Sequence, residues 1–194
     1  TLNQKSALNK VPLRLFKAKK NKQAKGSGGE VSFSEVVEAF PSKPLATSSV
    51  SLIDINMDGL LDLYLGNWFD TEKRPPRAQP DRLYLAVDKG LKWKDASYYL
   101  EEELKYDRDL EVYPNARATF GTSLCDLDKN GYPDVLTASA SGQPNKVWLN
   151  QFDRKNDDRM LKDFGEKTKL AQDADGSFSP TGGGHSFYML CHDY

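Results

Sequence analysis

The sequence is poor in cysteine and histidine, with two residues of each among 194. Two thiols do not form the disulfide framework of a small secreted domain. Cys125 and Cys191 stand one and two residues before equivalent aspartates, which places them on opposite faces of their strands. We therefore predict no disulfide between them. His185 and His192 do not make a convincing zinc site with Cys191.

Long apolar runs and an excess of one charge are also missing. No stretch approaches the ~18 apolar residues of a membrane-spanning helix. The net charge of −1 gives no argument for nucleic acid or an anionic membrane as the partner. The one basic run, residues 17–25, precedes a Gly/Ser-rich stretch at 26–29 and is predicted to be a solvated, flexible loop. We expect no membrane span and no nucleic-acid partner.

Sequence motifs of catalysis are absent as well. The glycines at 28–29 and 182–184 lack the strand, lysine and helix that a phosphate-binding loop requires. No G-x-S-x-G motif marks a nucleophilic serine in the chain. We therefore predict that the chain is not an enzyme.

What the sequence does contain is an internal repeat. One series of equivalent residues is Arg14, Arg82 and Lys146, spaced by 68 and 64 residues. A second series is Asp54, Asp126 and Asp193, spaced by 72 and 67 residues. A period of about 70 residues is too long for a helical hairpin and suits four short strands with their loops, which is one propeller blade.

Short segments with alternating apolar residues predict the strands of these repeats. In one set they are Val50–Ile53, Asp62–Gly66, Arg82–Ala86 and Leu91–Asp95. In the other set they are Thr122–Cys125, Asp134–Ala138, Lys146–Asn150 and Leu161–Phe164. Only residues 98–106 show a helical pattern, with Leu100 four residues before Leu104. We predict a short helical insertion there, in an acidic stretch that continues to residue 111.

Two loops carry oxygen side chains at loop positions 1, 3, 5 and 9 and glycine at position 6. The first consists of Asp54, Asn56, Asp58, Gly59 and Asp62, with Leu60 at position 7. The second consists of Asp126, Asp128, Asn130, Gly131 and Asp134, with Tyr132 at position 7. Alternate residues of a tightly curled loop point toward one centre, and the glycine permits the sharp turn.

This ligand pattern predicts one Ca²⁺ ion in each loop. Calcium takes about 6–8 oxygen ligands, and the four side chains together with the position-7 carbonyl supply most of them. Without an ion the three carboxylates of each loop would repel one another. The EF-hand shares the first six positions but needs a glutamate at position 12 and flanking helices. Position 12 is Leu65 or Thr137 here, and the residues around it are strand-like.

The segment from Phe120 to Val135 and the following Pro144–Asn150 resemble the FG-GAP/VCBS repeat. That resemblance, over about 150 residues, implies β-propeller blades of four antiparallel strands with Ca²⁺ between the first two strands of each blade. It implies an all-β partial propeller across residues 1–194, with repeats at about 11–68, 80–142 and 144–194. The Gly-Ala-Pro signature that follows the loop in the family is missing.

A third loop begins at Asp193, so we expect a third calcium site and a chain that is part of a longer propeller. An apolar flank around 187–190 would then be exposed unless another segment covers it. The resemblance implies a calcium-binding region for adhesion, scaffolding or protein–protein interaction, secreted, at the cell surface or in the periplasm. Its partner would be another protein, the remaining blades or a glycan. The alternative is a module of a larger secreted enzyme or carbohydrate-binding protein.

Overall fold

Antiparallel strands make up most of the regular structure. The computed structural model describes residues 13–20, 31–41, 45–87, 91–140, 142–155, 157–171 and 189–191. The strands in these ranges are β1 Leu15–Lys20, β2 Val31–Val36, β3 Thr47–Ile53, β4 Asp62–Asn67, β5 Phe69–Asp70, β6 Arg77–Ala78, β7 Arg82–Val87, β8 Lys92–Asp95, β9 Thr119–Cys125, β10 Asp134–Ser139, β11 Lys146–Asp153 and β12 Asp158–Asp163. The predicted all-β class is confirmed.

Eight of these strands form two four-stranded antiparallel sheets. The first sheet has the order β3-β4-β7-β8 and the second has the order β9-β10-β11-β12. The predicted strands all lie within or beside these eight, and the predicted pairing of each first strand with its second is confirmed. Each sheet joins the end of one sequence repeat to the start of the next, so the repeat limits stay a prediction. Two small hairpins, β1–β2 and β5–β6, complete the sheet structure of the described ranges.

The alternation of apolar residues on central strands produces a core on each face of the first sheet. All six residues of β4 are buried. Leu63 and Leu65 face one apolar cluster, whereas Tyr64 faces the central core. That central core contains Ile53, Ile55, Tyr64, Leu83, Leu85, Ala96, Leu100, Val135, Trp148 and Leu161, from both sheets. Burying apolar surface between the sheets is therefore the main force that joins them.

Small hydroxyl side chains bring the first strands of the two sheets close together. Ser49 on β3 donates a hydrogen bond to Thr122 Oγ1 on β9 over 3.1 Å, and Ser51 bonds the same hydroxyl. Gly66 on β4 lies against this contact, since a Cβ there would come within 2.5 Å of Thr119 Cγ2. The two hairpins that carry the predicted calcium loops consequently stand side by side.

The predicted helical insertion at 98–106 is wrong. A 3-10 helix covers Ser97–Tyr99, and the following residues form turns. The amide of Glu101 bonds the Leu161 carbonyl at 2.9 Å instead of continuing a helix, and Glu103 is buried with its carboxylate bonded to Asp81 and Lys146. Tertiary contacts override the local pattern. Among the described residues, no helix is long and apolar enough to cross a membrane.

The predicted flexible loop at 17–25 is also wrong in its first part. Residues Leu15–Lys20 form β1, which pairs antiparallel with β2. Pairing with β2 holds this basic segment in a strand through one edge of its backbone, although its described side chains from Lys17 to Lys19 remain exposed. Residues 21–30 lie outside the described ranges.

A disulfide joins Cys125 to Cys191, with Cα atoms 6.0 Å apart, so the prediction of no disulfide is wrong. The argument from strand faces fails because residues 189–191 form no strand, and both cysteines pack against the same apolar cluster. Met189 and Cys191 cover an apolar cluster of Leu136, Val147 and Leu149 on the outer side of the second sheet. Leu190 is 82% exposed, while 187–188 and Asp193 lie outside the described residues.

Candidate metal centres

Each calcium-type loop connects the first two strands of its sheet, β3 to β4 and β9 to β10. The two loops have nearly the same backbone conformation. Position 4 has positive φ in both, 61° at Met57 and 59° at Lys129, and so has position 6, 86° at Gly59 and 83° at Gly131. Left-handed backbone is tolerated best by glycine, which explains the glycine at position 6. The loops lie between strands, not between the helices of an EF-hand.

The position-1 aspartates close both loops in the same way. Asp54 Oδ1 accepts the amide of Asp58 at 2.9 Å, and its Oδ2 accepts the amide of Gly59 at 2.8 Å. Asp126 Oδ1 accepts the amide of Asn130 at 3.0 Å, and its Oδ2 accepts the amide of Gly131 at 2.8 Å. Each carboxylate oxygen retains a further lone pair, which leaves it able to bind a cation.

The position-9 aspartates, Asp62 and Asp134, are fully buried. Asp62 accepts the amides of Ile55 at 3.0 Å and Ala86 at 2.7 Å. Asp134 accepts the equivalent amides, from Leu127 at 2.7 Å and Asn150 at 2.8 Å. Each of these carboxylates therefore fastens its loop to the third strand of the sheet.

Burial raises the pKa of both position-9 carboxyls. The pKa of Asp62 rises to about 6, chiefly by burial, with repulsion from Asp58 and Asp54 adding to the rise against two backbone hydrogen bonds that lower it. The pKa of Asp134 is raised by burial and by the charge of Asp128. The two sites thus concentrate negative charge that a bound cation would stabilise.

Asparagine and aspartate exchange places at positions 3 and 5 of the two loops, yet their hydrogen bonds to the backbone are the same. Asn56 and Asp128 at position 3 each accept the position-5 amide at 3.2 Å. Asp58 Oδ1 accepts the amide of Leu60, and Asn130 Oδ1 accepts the amide of Tyr132, both at 2.8 Å. The predicted ligand side chains at positions 3 and 5 therefore make matching backbone hydrogen bonds in the two hairpin loops.

The second loop brings its carboxylates together most closely. Oxygens of Asp126, Asp128 and Asp134 all lie within 4.8 Å of one another, the only such group of three metal-ligating residues in the part of the chain that the structure describes. Oxygens on opposite sides of a Ca²⁺ ion, each about 2.4 Å from it, would be separated by about that distance. The donor set fits calcium. The first loop also contains three aspartates, Asp54, Asp58 and Asp62, but their oxygens do not form such a group.

Four residues around the loops were missed by sequence reasoning. Asn150 touches both loops, and Gln151 Nε2 donates to Asp128 Oδ2 at 2.6 Å. The Arg159 guanidinium lies 3.4 Å from the centre of the Tyr132 ring, and Trp93 Nε1 donates to the Leu61 carbonyl at 3.1 Å. The only sequence signal for Asn150 is a polar residue at the end of an apolar strand segment, where the equivalent residue of the first sheet is Ala86.

Comparisons with known proteins leave the chain without an assigned family. No protein-family model matches it, and no curated protein matches it. The resemblance to the FG-GAP/VCBS repeat stays a prediction.

Proposed function

We propose that the two hairpin loops are calcium sites. The first ion is held by Asp54, Asn56, Asp58, Asp62 and the Leu60 carbonyl, and the second by Asp126, Asp128, Asn130, Asp134 and the Tyr132 carbonyl. The observation that carries this proposal is the duplicated loop geometry, in which position-1 and position-9 carboxylates make the same backbone hydrogen bonds in both sheets.

Calcium suits these donors better than other common cations. The donors are all oxygen and include no thiolate or imidazole, which argues against zinc. Magnesium demands a nearly ideal octahedron and gives up its waters reluctantly, whereas calcium accepts irregular sets of side-chain and backbone oxygens. Dissociation constants of about 10⁻⁴–10⁻³ M are typical of extracellular calcium modules.

We further propose that the two sheets are blades of an FG-GAP/VCBS-type propeller. Support comes from the matching β3-β4-β7-β8 and β9-β10-β11-β12 orders and from the apolar clusters on both outer sides of the sheet pair. A blade is packed between two neighbours and needs apolar residues on both faces. Asp193 would begin the loop of a third blade.

The role that fits these features is a non-catalytic, calcium-stabilised scaffold outside the cell, which binds another protein, a glycan or further blades. The Cys125–Cys191 disulfide supports this location, because disulfides persist mainly in oxidising compartments. Calcium that binds only the folded loops would stiffen the hairpins and hold the binding surface in one shape.

Calorimetric titration of metal-free protein tests the calcium sites. We expect two Ca²⁺ ions per chain, and one in either Asp54→Asn or Asp126→Asn. Asp70→Asn is the matched control, since Asp70 accepts the amide of Glu72 at 3.1 Å in a turn without the calcium pattern. The control should still bind two ions. Absence of calcium heat in the wild type, or equal stoichiometry in all three variants, would refute the proposal.

A further inference from the structure

Between the two loops lies Asn150, a residue outside the ligand pattern whose four polar groups are all engaged. Its exposed fraction is 2%. It ends a run of five buried residues on β11, Lys146 to Asn150. We infer that Asn150 is a positioning residue that couples the two calcium loops, so that an ion in one raises the affinity of the other. This inference rests on the proposed calcium function.

The side-chain amide of Asn150 spans the junction. Its Nδ2 donates to the carbonyl of Ile55, position 2 of the first loop, at 2.9 Å, and to the carbonyl of Pro133, position 8 of the second loop, at 3.3 Å. The amide of Ile55 is itself bonded to Asp62 Oδ2 at 3.0 Å. The Asn150 side chain therefore bonds Ile55, a residue whose own amide is bonded to a proposed ligand of the first ion.

The backbone of Asn150 contacts two proposed ligands of the second ion. Its amide donates to Asp134 Oδ1 at 2.8 Å, and its carbonyl accepts from Asn130 Nδ2 at 3.0 Å. When an ion draws the Asp134 and Asn130 oxygens toward itself, both hydrogen bonds transmit the adjustment to Asn150. The side-chain amide then carries it to Ile55.

Arg159 sets the orientation of this amide. Its Nε donates to Asn150 Oδ1 at 2.8 Å, and its terminal nitrogen bonds the Asn150 carbonyl. Because a guanidinium has only donors, Asn150 must turn Oδ1 toward Arg159 and its NH₂ group toward the two loops. The guanidinium also stacks on the ring of Tyr132, whose carbonyl is a proposed ligand.

The first sheet has no side-chain amide at the place equivalent to Asn150. Ala86 occupies the equivalent place, and its amide donates to Asp62 Oδ1 at 2.7 Å just as the Asn150 amide donates to Asp134. Alanine has no side-chain amide to extend the contact to another loop. The coupling is thus built by the Asn150 side chain and not by the shared strand geometry.

The test is a linkage cycle by calorimetry with Ca²⁺ as the titrant. The affinity of the first loop is measured with the second loop intact and with it disabled by Asp126→Asn, and the reverse pair uses Asp54→Asn. We expect each loop to bind at least about fivefold more tightly when the other is intact, at the lower end of measured couplings, and by the same factor in both directions because linkage is reciprocal.

Asn150→Ala should reduce that factor to about one, since the backbone bonds to Asp134 and Asn130 remain but the reach to Ile55 is lost. Asn67→Ala is the matched control. Its amide is also buried and donates to the Pro80 carbonyl at 2.7 Å, far from both loops, so the control is destabilised yet keeps the coupling. If Asn150→Ala does not fold, Arg159→Gln replaces it as the test of coupling. Arg159 is half-buried, and its loss removes the hydrogen bonds that orient the Asn150 side-chain amide.

The outcomes separate the inference from the function on which it rests. No calcium binding by the wild type refutes the proposed function itself. Two bound ions with affinities that do not depend on each other overturn only the coupling, as does a coupling that survives in Asn150→Ala or, where that variant does not fold, in Arg159→Gln. Loss of coupling in the Asn150 variant with retention in Asn67→Ala supports the inference.

Discussion

Buried carboxylates are stabilised differently at the two ends of the sheet pair, the loop end with the two hairpin loops and the far end around Asp81. At the loop end, the proposed ligands of each ion include three aspartates and no cationic side chain. At the other end, Asp81 and Glu103 are buried beside Lys146, which is 3% exposed and bonds Glu103. The far-end carboxylates thus have a cation within the protein, whereas under the proposed function the loop carboxylates take theirs from solution.

Protein groups alone bond the two buried carboxylates of the far end, Asp81 and Glu103. Asp81 accepts the Tyr64 hydroxyl at 2.7 Å, the Thr119 hydroxyl at 2.8 Å and the Asn67 amide at 2.8 Å. The amide of Asp81 donates to Glu103 Oε1 at 3.0 Å. These contacts link both sheets without any ion. Buried carboxyls with raised pKa values lie at both ends, so pH does not separate them. We expect loss of Lys146 to act at the far end without regard to calcium, and calcium to act at the loop end.

The largest expected effect is that of Lys146→Met. This change keeps the side-chain length beside the Trp148 ring, which lies 4.6 Å from Nζ, but leaves two buried carboxylates without their cation. Breaking a buried ion pair costs about 3–5 kcal/mol, and the loss should be equal in calcium and in chelator. Urea unfolding in both buffers measures it. Lys162→Met, at a partly exposed ion pair, is the control and should cost under about 1 kcal/mol. A calcium-dependent loss in Lys146→Met would break the comparison.

The next effect is a pH dependence that arises from Asp81. Burial raises the pKa of Asp81 from 3.8 to about 7. Repulsion from Glu103 adds to this rise, and attraction by Lys146 opposes it. Because the folded-state pKa is raised, the contribution to stability is full below the unfolded value and is lost as pH rises through about 7. Between about pH 5 and about pH 8 the loss amounts to about 2–3 kcal/mol.

The check on this pH effect is the slope of the free energy of unfolding against pH. In Asp81→Asn the slope should be flatter, so that the change in the free energy of unfolding across this pH range is smaller by that amount, whatever the absolute stability of the variant. The titratable groups that contact Asp81 are Tyr64 and Glu103, with Lys146 beyond them. An unchanged slope in the variant would show that Asp81 ionises normally in the folded protein.

The sequence predicted those features of the structure that depend on residues close together in the chain. The strands and the two loops were predicted because alternation and the glycine at position 6 act within a few residues. The disulfide, the 3-10 helix at Ser97–Tyr99 and the role of Asn150 depend on partners distant in sequence, such as the Leu161 carbonyl that binds Glu101 and the Ile55 carbonyl that binds Asn150. One sequence does not reveal which of its segments become neighbours.

A calcium-dependent effect should appear at the loop end only. Asp128→Ala removes a member of the three-carboxylate group, so the wild type should exceed it in stability when calcium is present. At calcium about tenfold above the dissociation constant, the lost ion is worth about 1.4 kcal/mol. Thermal unfolding in calcium and in chelator measures the difference, which should shrink to near zero in chelator. The same difference in both buffers would mean that Asp128 acts without an ion.

The smallest expected effect is that of a glycine substitution in the second loop, and a second glycine, between the sheets, gives the comparison for it. Gly131 in the second loop has φ of 83°, and a Cβ there would meet no atom within 4 Å, so Gly131→Ala should cost about 1 kcal/mol from backbone strain alone. Gly66 lies toward the far end of β4, and a Cβ there would approach Thr119 Cγ2 at 2.5 Å and Ser49 Oγ at 2.8 Å. Gly66→Ala should therefore cost about 1–3 kcal/mol through overpacking between the sheets.

Urea unfolding of both variants in calcium, together with calcium titration, separates the causes. Gly131→Ala should also weaken calcium binding at the second loop, because the strain falls on the turn that places Asn130 and Tyr132, while Gly66→Ala should leave both affinities unchanged. A larger loss of stability in Gly131→Ala than in Gly66→Ala would mean that the loop, not the contact between β4 and β9, is the more rigid part of the fold.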